Sequence, residues 1–97
     1  MDRAALDDGP RSRELLILRG ELRAAASRCA EAVTDLGHGL SAVPADAVDE
    51  RALFARASCF TRLHQFAAAR GELERYQAHF PSGPHAAEAA RILGTLR

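Results

Sequence analysis

One spacing constrains this chain more than any other. Gly20, Ala32, Leu36 and Pro44 recur 37 residues later as Ala57, Ala69, Leu73 and Pro81, and the pairs Leu16/Leu53 and Arg19/Arg56 keep the same offset. The later copy, Leu53 to Pro81, reads LFARASCFTRLHQFAAARGELERYQAHFP. Small residues (Ala57, Ala69) and large ones (Leu53, Phe60, Phe66, Leu73, Tyr76) recur in it at helical spacing, a break falls near Leu63–Gln65, and a proline closes it. That pattern predicts two helices joined by a short turn, with the small residues placed where a bulky side chain would push the pair apart. A third copy would set Ala90 under Leu53 and Gly94 under Ala57, so it is expected to amount to at most a first helix.

The ordered set Ala57, Phe60, Ala69, Leu73, Pro81 resembles the tetratricopeptide (TPR) repeat. That repeat is a helical hairpin of about 34 residues set by residue size as well as polarity. The three extra residues here are expected in the Ala45–Asp49 connection. The resemblance covers Leu15 to Pro81 and extends loosely to Gly94. It implies an all-α fold of antiparallel helix hairpins, a TPR-like α-solenoid of two repeats and a C-terminal capping helix. The FP-x-G-P-x-A-A-E-A stretch after the second repeat looks most like TPR modules of bacterial envelope and regulatory proteins.

Local signals place the elements. Residues 1–11 read as a polar, flexible leader and 12–97 as the helical domain. Ser12 is expected to cap a first helix to about Ala25, with Leu15, Leu16, Leu18 and Leu22 on or near one face. Ser27 is expected to cap a second helix that stops between Leu36 and Leu40, where Gly37 and Gly39 weaken it. Asp46 should cap a third helix to about Arg62, with Asp49 and Glu50 in its first turn, where the helix dipole favours carboxylates. A fourth runs from about Gln65 to His79 and holds Gly71 at a close contact, and a fifth has Pro84 in its first turn and reaches about Leu93. Nothing alternates with a period of two, so no strand is expected.

Composition narrows the function. At 97 residues the chain is one small domain, and with 47% hydrophobic but only 5% aromatic residues its core must come from close helix packing. Thirteen basic residues balance thirteen acidic ones, which gives no electrostatic footprint for nucleic acid or an anionic membrane surface. Every basic residue is arginine, and lysine, asparagine and tryptophan are absent, as GC-rich bacterial coding produces. No apolar run is long enough to span a bilayer, and MDRAALDDGP lacks the apolar core of a signal peptide. The chain is therefore expected in the cytoplasm, or at the envelope if it is a fragment of a secreted parent.

No catalytic, cofactor or metal constellation is visible. Cys29 and Cys59 are expected as buried thiols in helix interfaces, with a disulfide as the alternative in an oxidising compartment; neither has a CxxC partner for zinc. His38, His64, His79 and His85 are expected at exposed loops and helix ends. Glu72 and Glu74 point to different helix faces as solvated charges, and Ser58, Cys59 and Thr61 have no evident base. Arg51, Arg56, Arg62, Arg70, Arg75 and Arg91 are read as pairing locally with Glu72, Glu74 and Glu88.

The TPR resemblance implies a concave groove lined by the first helix of each repeat. By position it would comprise Glu14, Ile17, Glu21 and Ala24, then Arg51, Phe54, Ser58, Thr61 and Arg62, and finally Arg91. Ile17, Glu21, Phe54 and Ser58 stand where carboxylate-clamping TPRs carry lysine and asparagine, which argues against capture of a C-terminal carboxylate. Phe54 is either an anchor in the groove or a core residue. Arg23 stands where the second repeat has Phe60, so the first repeat is degenerate. The expected function is a non-enzymatic adaptor or scaffold that holds a partner's peptide or helix. The alternatives are a self-assembling subunit, as a homodimer through Ile92 and Leu96, and, least favoured, a small helical DNA-binding regulator.

Overall fold

The computed structural model describes residues 10–96, with side chains from Ser12 onward. The leader expected at residues 1–11 lies outside the described residues except for Pro10 and Arg11, which open the first helix. Five helices follow in order: α1 (Pro10–Ala25), α2 (Cys29–Gly39), α3 (Ala47–Arg62), α4 (Phe66–His79) and α5 (Ala86–Thr95). There is no strand among the described residues.

The sequence offset reappears in three dimensions. Both bounds of α3 lie 37 residues beyond those of α1 (Pro10 to Ala47, Ala25 to Arg62), and α4 opens 37 residues after α2. The turns between paired helices repeat as well. Ser27 and His64 both adopt left-handed backbone, φ 63° and 62°. The next residue in each turn reaches back five positions, Arg28 N–H to the Arg23 carbonyl at 2.8 Å and Gln65 N–H to the Phe60 carbonyl at 2.9 Å. Such wraps satisfy carbonyls that the end of a helix leaves without partners. Ser27 therefore terminates α1 and does not cap α2, whose N-cap is Arg28 without a side-chain hydrogen bond. Ser12, expected as a cap, is inside α1 and buried. Likewise Pro84 precedes α5, and His85 is its N-cap.

Consecutive helices pack on one another and α1 also touches α3. The pairs are antiparallel: Arg13, near the start of α1, donates to the carbonyl of Gly39 at the end of α2 (2.8 Å). The core is in two parts. Ile17, Ala24, Cys29, Ala32, Leu36, Ala52 and Cys59 fill the space among α1, α2 and α3. Leu53, Ala57, Leu73, Tyr76, Ala89 and Leu93 do so among α3, α4 and α5. On α1 the buried face carries Ile17, Gly20 and Ala24, whereas Leu15, Leu18 and Leu22 face solvent at 48%, 48% and 63% exposure. The expected leucine face of α1 is thus the outer one. Gly20 is small for a reason: a Cβ there would sit 2.7 Å from Leu36 Cγ. Gly71, expected at a close contact, has nothing within 4 Å of a built Cβ.

The connection between hairpins is organised by one buried carboxylate. Asp46 caps α3 by accepting from the Asp49 N–H (2.8 Å), and Asp49 returns the bond in a capping box. Asp49 also accepts from the backbone of Ser41 (2.9 Å) and Ala45 (3.0 Å) and from Arg13 (2.6 Å). Burial alone would push this carboxyl up, but the backbone donors outweigh it and hold it below its ordinary value.

The two cysteines are not free thiols. Cys29 at the start of α2 and Cys59 near the end of α3 form a disulfide, with Cα atoms 5.1 Å apart. In the chain-entropy account, closing a loop of this length stabilises the fold by about 3–4 kcal/mol.

Two outcomes follow from this packing. Gly20→Val should cost about 1–3 kcal/mol by overpacking against Leu36, while Gly71→Ala should raise stability by about 0.5–1 kcal/mol through helix propensity alone. Thermal melts of both variants check the opposite signs. Asp49→Ala should cost at least about 2 kcal/mol, because it strands buried donors. Since the folded Asp49 pKa lies below 3.8, its contribution is present above that pH and drains away as pH falls below it. Acid melts of wild type and Asp49→Ala should therefore converge.

Candidate functional site

An interhelical ion pair and several hydrogen bonds engage the expected groove residues. Glu21 on α1 takes both nitrogens of the Arg51 fork on α3, at 2.7 and 3.1 Å. Arg62 donates to the carbonyl of Ala24 (3.1 Å) and to Cys59 Sγ (3.4 Å), and the Thr61 hydroxyl returns to the Ala57 carbonyl (2.9 Å). Arg91 pairs with Glu88 on its own helix (2.8 Å). Ile17 is fully buried and Ala24 nearly so, so neither lines a surface; Glu14 is exposed and Ser58 half-buried.

A second set of pairs ties the partners within each hairpin. Arg19 grips both oxygens of Asp35 at 2.9 Å, with Arg23 adding a bond at 2.7 Å. Thirty-seven residues on, Arg56 bonds Glu72 at 2.7 Å and Arg75 adds a bond at 3.2 Å. Asp35 and Glu72 are both buried, and Glu72 is therefore no solvated surface charge. For Asp35, burial pushes the carboxyl up, but its Arg19 bond and the charges of both arginines win and hold it down. Arg23, at the degenerate position, thus serves the ion pair. Arg56 also lies over the Phe60 ring, 5.1 Å from its centre.

The densest cluster of functional groups sits under the N-terminus of α5. Glu50, buried in the first turn of α3, accepts from the Tyr76 hydroxyl and shares a 2.6 Å hydrogen bond with His85 Nδ1. The His85 backbone N–H donates to the Tyr76 oxygen (2.9 Å). The His85 ring stacks on Phe54 at 4.1 Å and 10°, and Phe54 meets Tyr76 edge-on at 6.2 Å. Burial, then the bond to Glu50, pushes the Tyr76 phenol up to about 12, so it stays a donor. These contacts fasten α5 to the second hairpin and leave Phe54 half-covered, a partner of the core more than a free anchor. His85 is accordingly not a loose loop residue, whereas His38, His64 and His79 are exposed.

Surface accessible to a ligand opens elsewhere. Thr61 of α3, Phe66 at the start of α4, and Thr95 and Leu96 at the end of α5 line a cleft of about 340 Å³. Phe66 is 45% exposed there. The cleft joins one expected groove residue, Thr61, to one expected self-association residue, Leu96. Ile92 and Leu96 otherwise pack against the second core cluster. No group of three or more metal-ligating side chains occurs among the described residues.

Sequence reasoning missed Glu50, Tyr76, His85 and Phe66 as site residues. It also missed the ion pairs of Asp35 and Glu72, for which one signal was available: the offset places acid with acid, Asp35 with Glu72, alongside Arg19 with Arg56. Comparison of the chain with protein-family models, with curated proteins and with solved structures finds no match.

The chain has one tyrosine, so phenolate absorbance reports Tyr76 alone. Its titration should centre near pH 12 and not near the ordinary 10. Because the folded pKa is raised, the stability it contributes is whole below pH 10 and is lost as pH rises towards 12. A midpoint near 10 in the folded protein would contradict the buried Glu50 bond.

Proposed function

We propose that this chain is a TPR-like helical-repeat module, without catalytic activity, that holds a peptide or helix of a partner protein. The observation that carries the reading is the recurrence, at one offset, of helix bounds, left-handed turn residues and the Arg–carboxylate pairs Arg19–Asp35 and Arg56–Glu72. Stacked repeats offer extended surfaces built from equivalent positions on successive helices, and binding is the use such surfaces serve. Within this reading the contact centres on the cleft of Thr61, Phe66, Thr95 and Leu96, where the face of Phe66 is accessible. Among the described residues no helix is long and apolar enough to cross a membrane.

A second reading, self-assembly, is favoured by a different observation. The most exposed large aliphatic side chains on one helix are Leu15, Leu18 and Leu22 of α1, at coiled-coil-like spacing. In that case copies meet through α1 and not through Ile92 and Leu96.

Panning a random peptide library against the folded protein tests the first reading. Binders should lose about 2 kcal/mol or more, a factor of roughly 30 in Kd, on Phe66→Ala, with Leu96→Glu weakening them too. Binders indifferent to both variants place the contact elsewhere. Sedimentation of wild type and Leu18→Glu addresses the second reading, which requires the wild type to associate and the variant not to.

A further inference from the structure

We propose that the Cys29–Cys59 disulfide is a thiol-exchange site, opened and closed by a small anionic thiol that enters from an adjoining surface cleft. The cleft, of about 370 Å³, is lined by Ser27, Arg28, Cys29, Glu31, Arg62 and Leu63, among others. Cys29 borders it and retains 6% of its surface, whereas Cys59 retains none. A thiolate arriving from solvent therefore meets the Cys29 side of the bond.

The leaving side is prepared for charge. Arg62 Nη2 donates to Cys59 Sγ at 3.4 Å, while its Nη1 is anchored on the Ala24 carbonyl at 3.1 Å. A guanidinium against sulfur stabilises the thiolate form, and a thiol of lower pKa is the faster leaving group. Cys29 is the first residue of α2, where the helix dipole favours a thiolate in the reduced state as well. No carboxylate among the described residues pairs with Arg62, and Arg28 and Glu31 neutralise each other at 2.5 and 2.7 Å. The mouth is thus cationic, which selects a thiol that carries carboxylates.

The exchange balances without a further reagent. The incoming thiolate sulfur bonds to Cys29 Sγ as the Cys29–Cys59 bond breaks, and the electron pair departs on Cys59 as a thiolate beside Arg62. In reverse, the Cys59 thiolate attacks Cys29 Sγ and expels the small thiol. A second small thiolate can instead attack the mixed disulfide, which frees Cys29 and yields the symmetrical small-molecule disulfide. A cross-link that cycles in this way suits a reducing compartment, where lasting disulfides are rare and exchanging ones are the rule.

The test uses the full, oxidised chain and reduced glutathione. Acid quenching, alkylation and peptide mass mapping should find glutathione on Cys29 and the alkyl group on Cys59. Opening should slow by about three- to tenfold in Arg62→Gln, through loss of leaving-group stabilisation, and recover in Arg62→Lys. A merely structural Arg62 gives the opposite sign, because a loosened site opens faster. Glutathione should also outpace the cationic thiol cysteamine once rates are expressed per thiolate; this comparison needs no variant and stands even if Arg62→Gln fails to fold. Adduct on Cys59, an unchanged or faster Arg62→Gln, a preference for cysteamine, or opening no faster than global unfolding would overturn the proposal.

Discussion

Everything in this fold depends on how closely its paired helices approach. Gly20, Ala32, Ala57 and Ala69 line the hairpin contacts, and at Gly20 even one added methyl would collide with Leu36. Close approach compensates for a chain with few aromatics, because each alanine buries little area by itself. It also brings charged side chains against the neighbouring backbone. Asp35, Asp49, Glu50 and Glu72 are all buried, and each has donors to meet it. A buried carboxylate deprived of its partner would cost more than the intact pair contributes.

The two halves of the chain are closed differently. At the junction of α2 and α3, Cys29 and Cys59 are joined covalently. Moving on by the repeat offset leads from Cys29 to Phe66 and from Cys59 to Leu96, and there the cleft opens. Where the first pair of residues forms a bond, the pair 37 positions on borders an open cleft. The second hairpin is secured instead by Glu50, Tyr76 and His85, at the other end of α3.

Local chemistry made much of the fold legible. Asp46 and Asp49 form the capping box three residues apart, and α3 and α4 fall within a residue of their expected bounds, because those signals act within one turn. Ser27 misled because a serine before a helix reads as a cap, while its left-handed backbone depends on how α1 ends. The phase of α1 was ambiguous because leucines surround it; only contact with Leu36 and Ala52 decides that Ile17 and Gly20 turn inward. The candidate site was least legible. Glu50 looked like a dipole-favoured surface carboxylate, and its burial is set by Tyr76 and His85, 26 and 35 residues away. The disulfide needed the same long-range information, since spacing along the chain does not bring Cys29 to Cys59.

The cross-link also divides the molecule mechanically. Cys29 and Cys59 are 30 positions apart, and the loop they close contains nearly all of α2 and most of α3. Tension applied to the two chain ends passes through the sulfur bridge and bypasses that loop. While it is closed, about 100 Å of contour length is withheld from extension. Under load α1, α4 and α5 can be drawn out, and the middle of the protein cannot be lengthened until a thiol cuts the bridge.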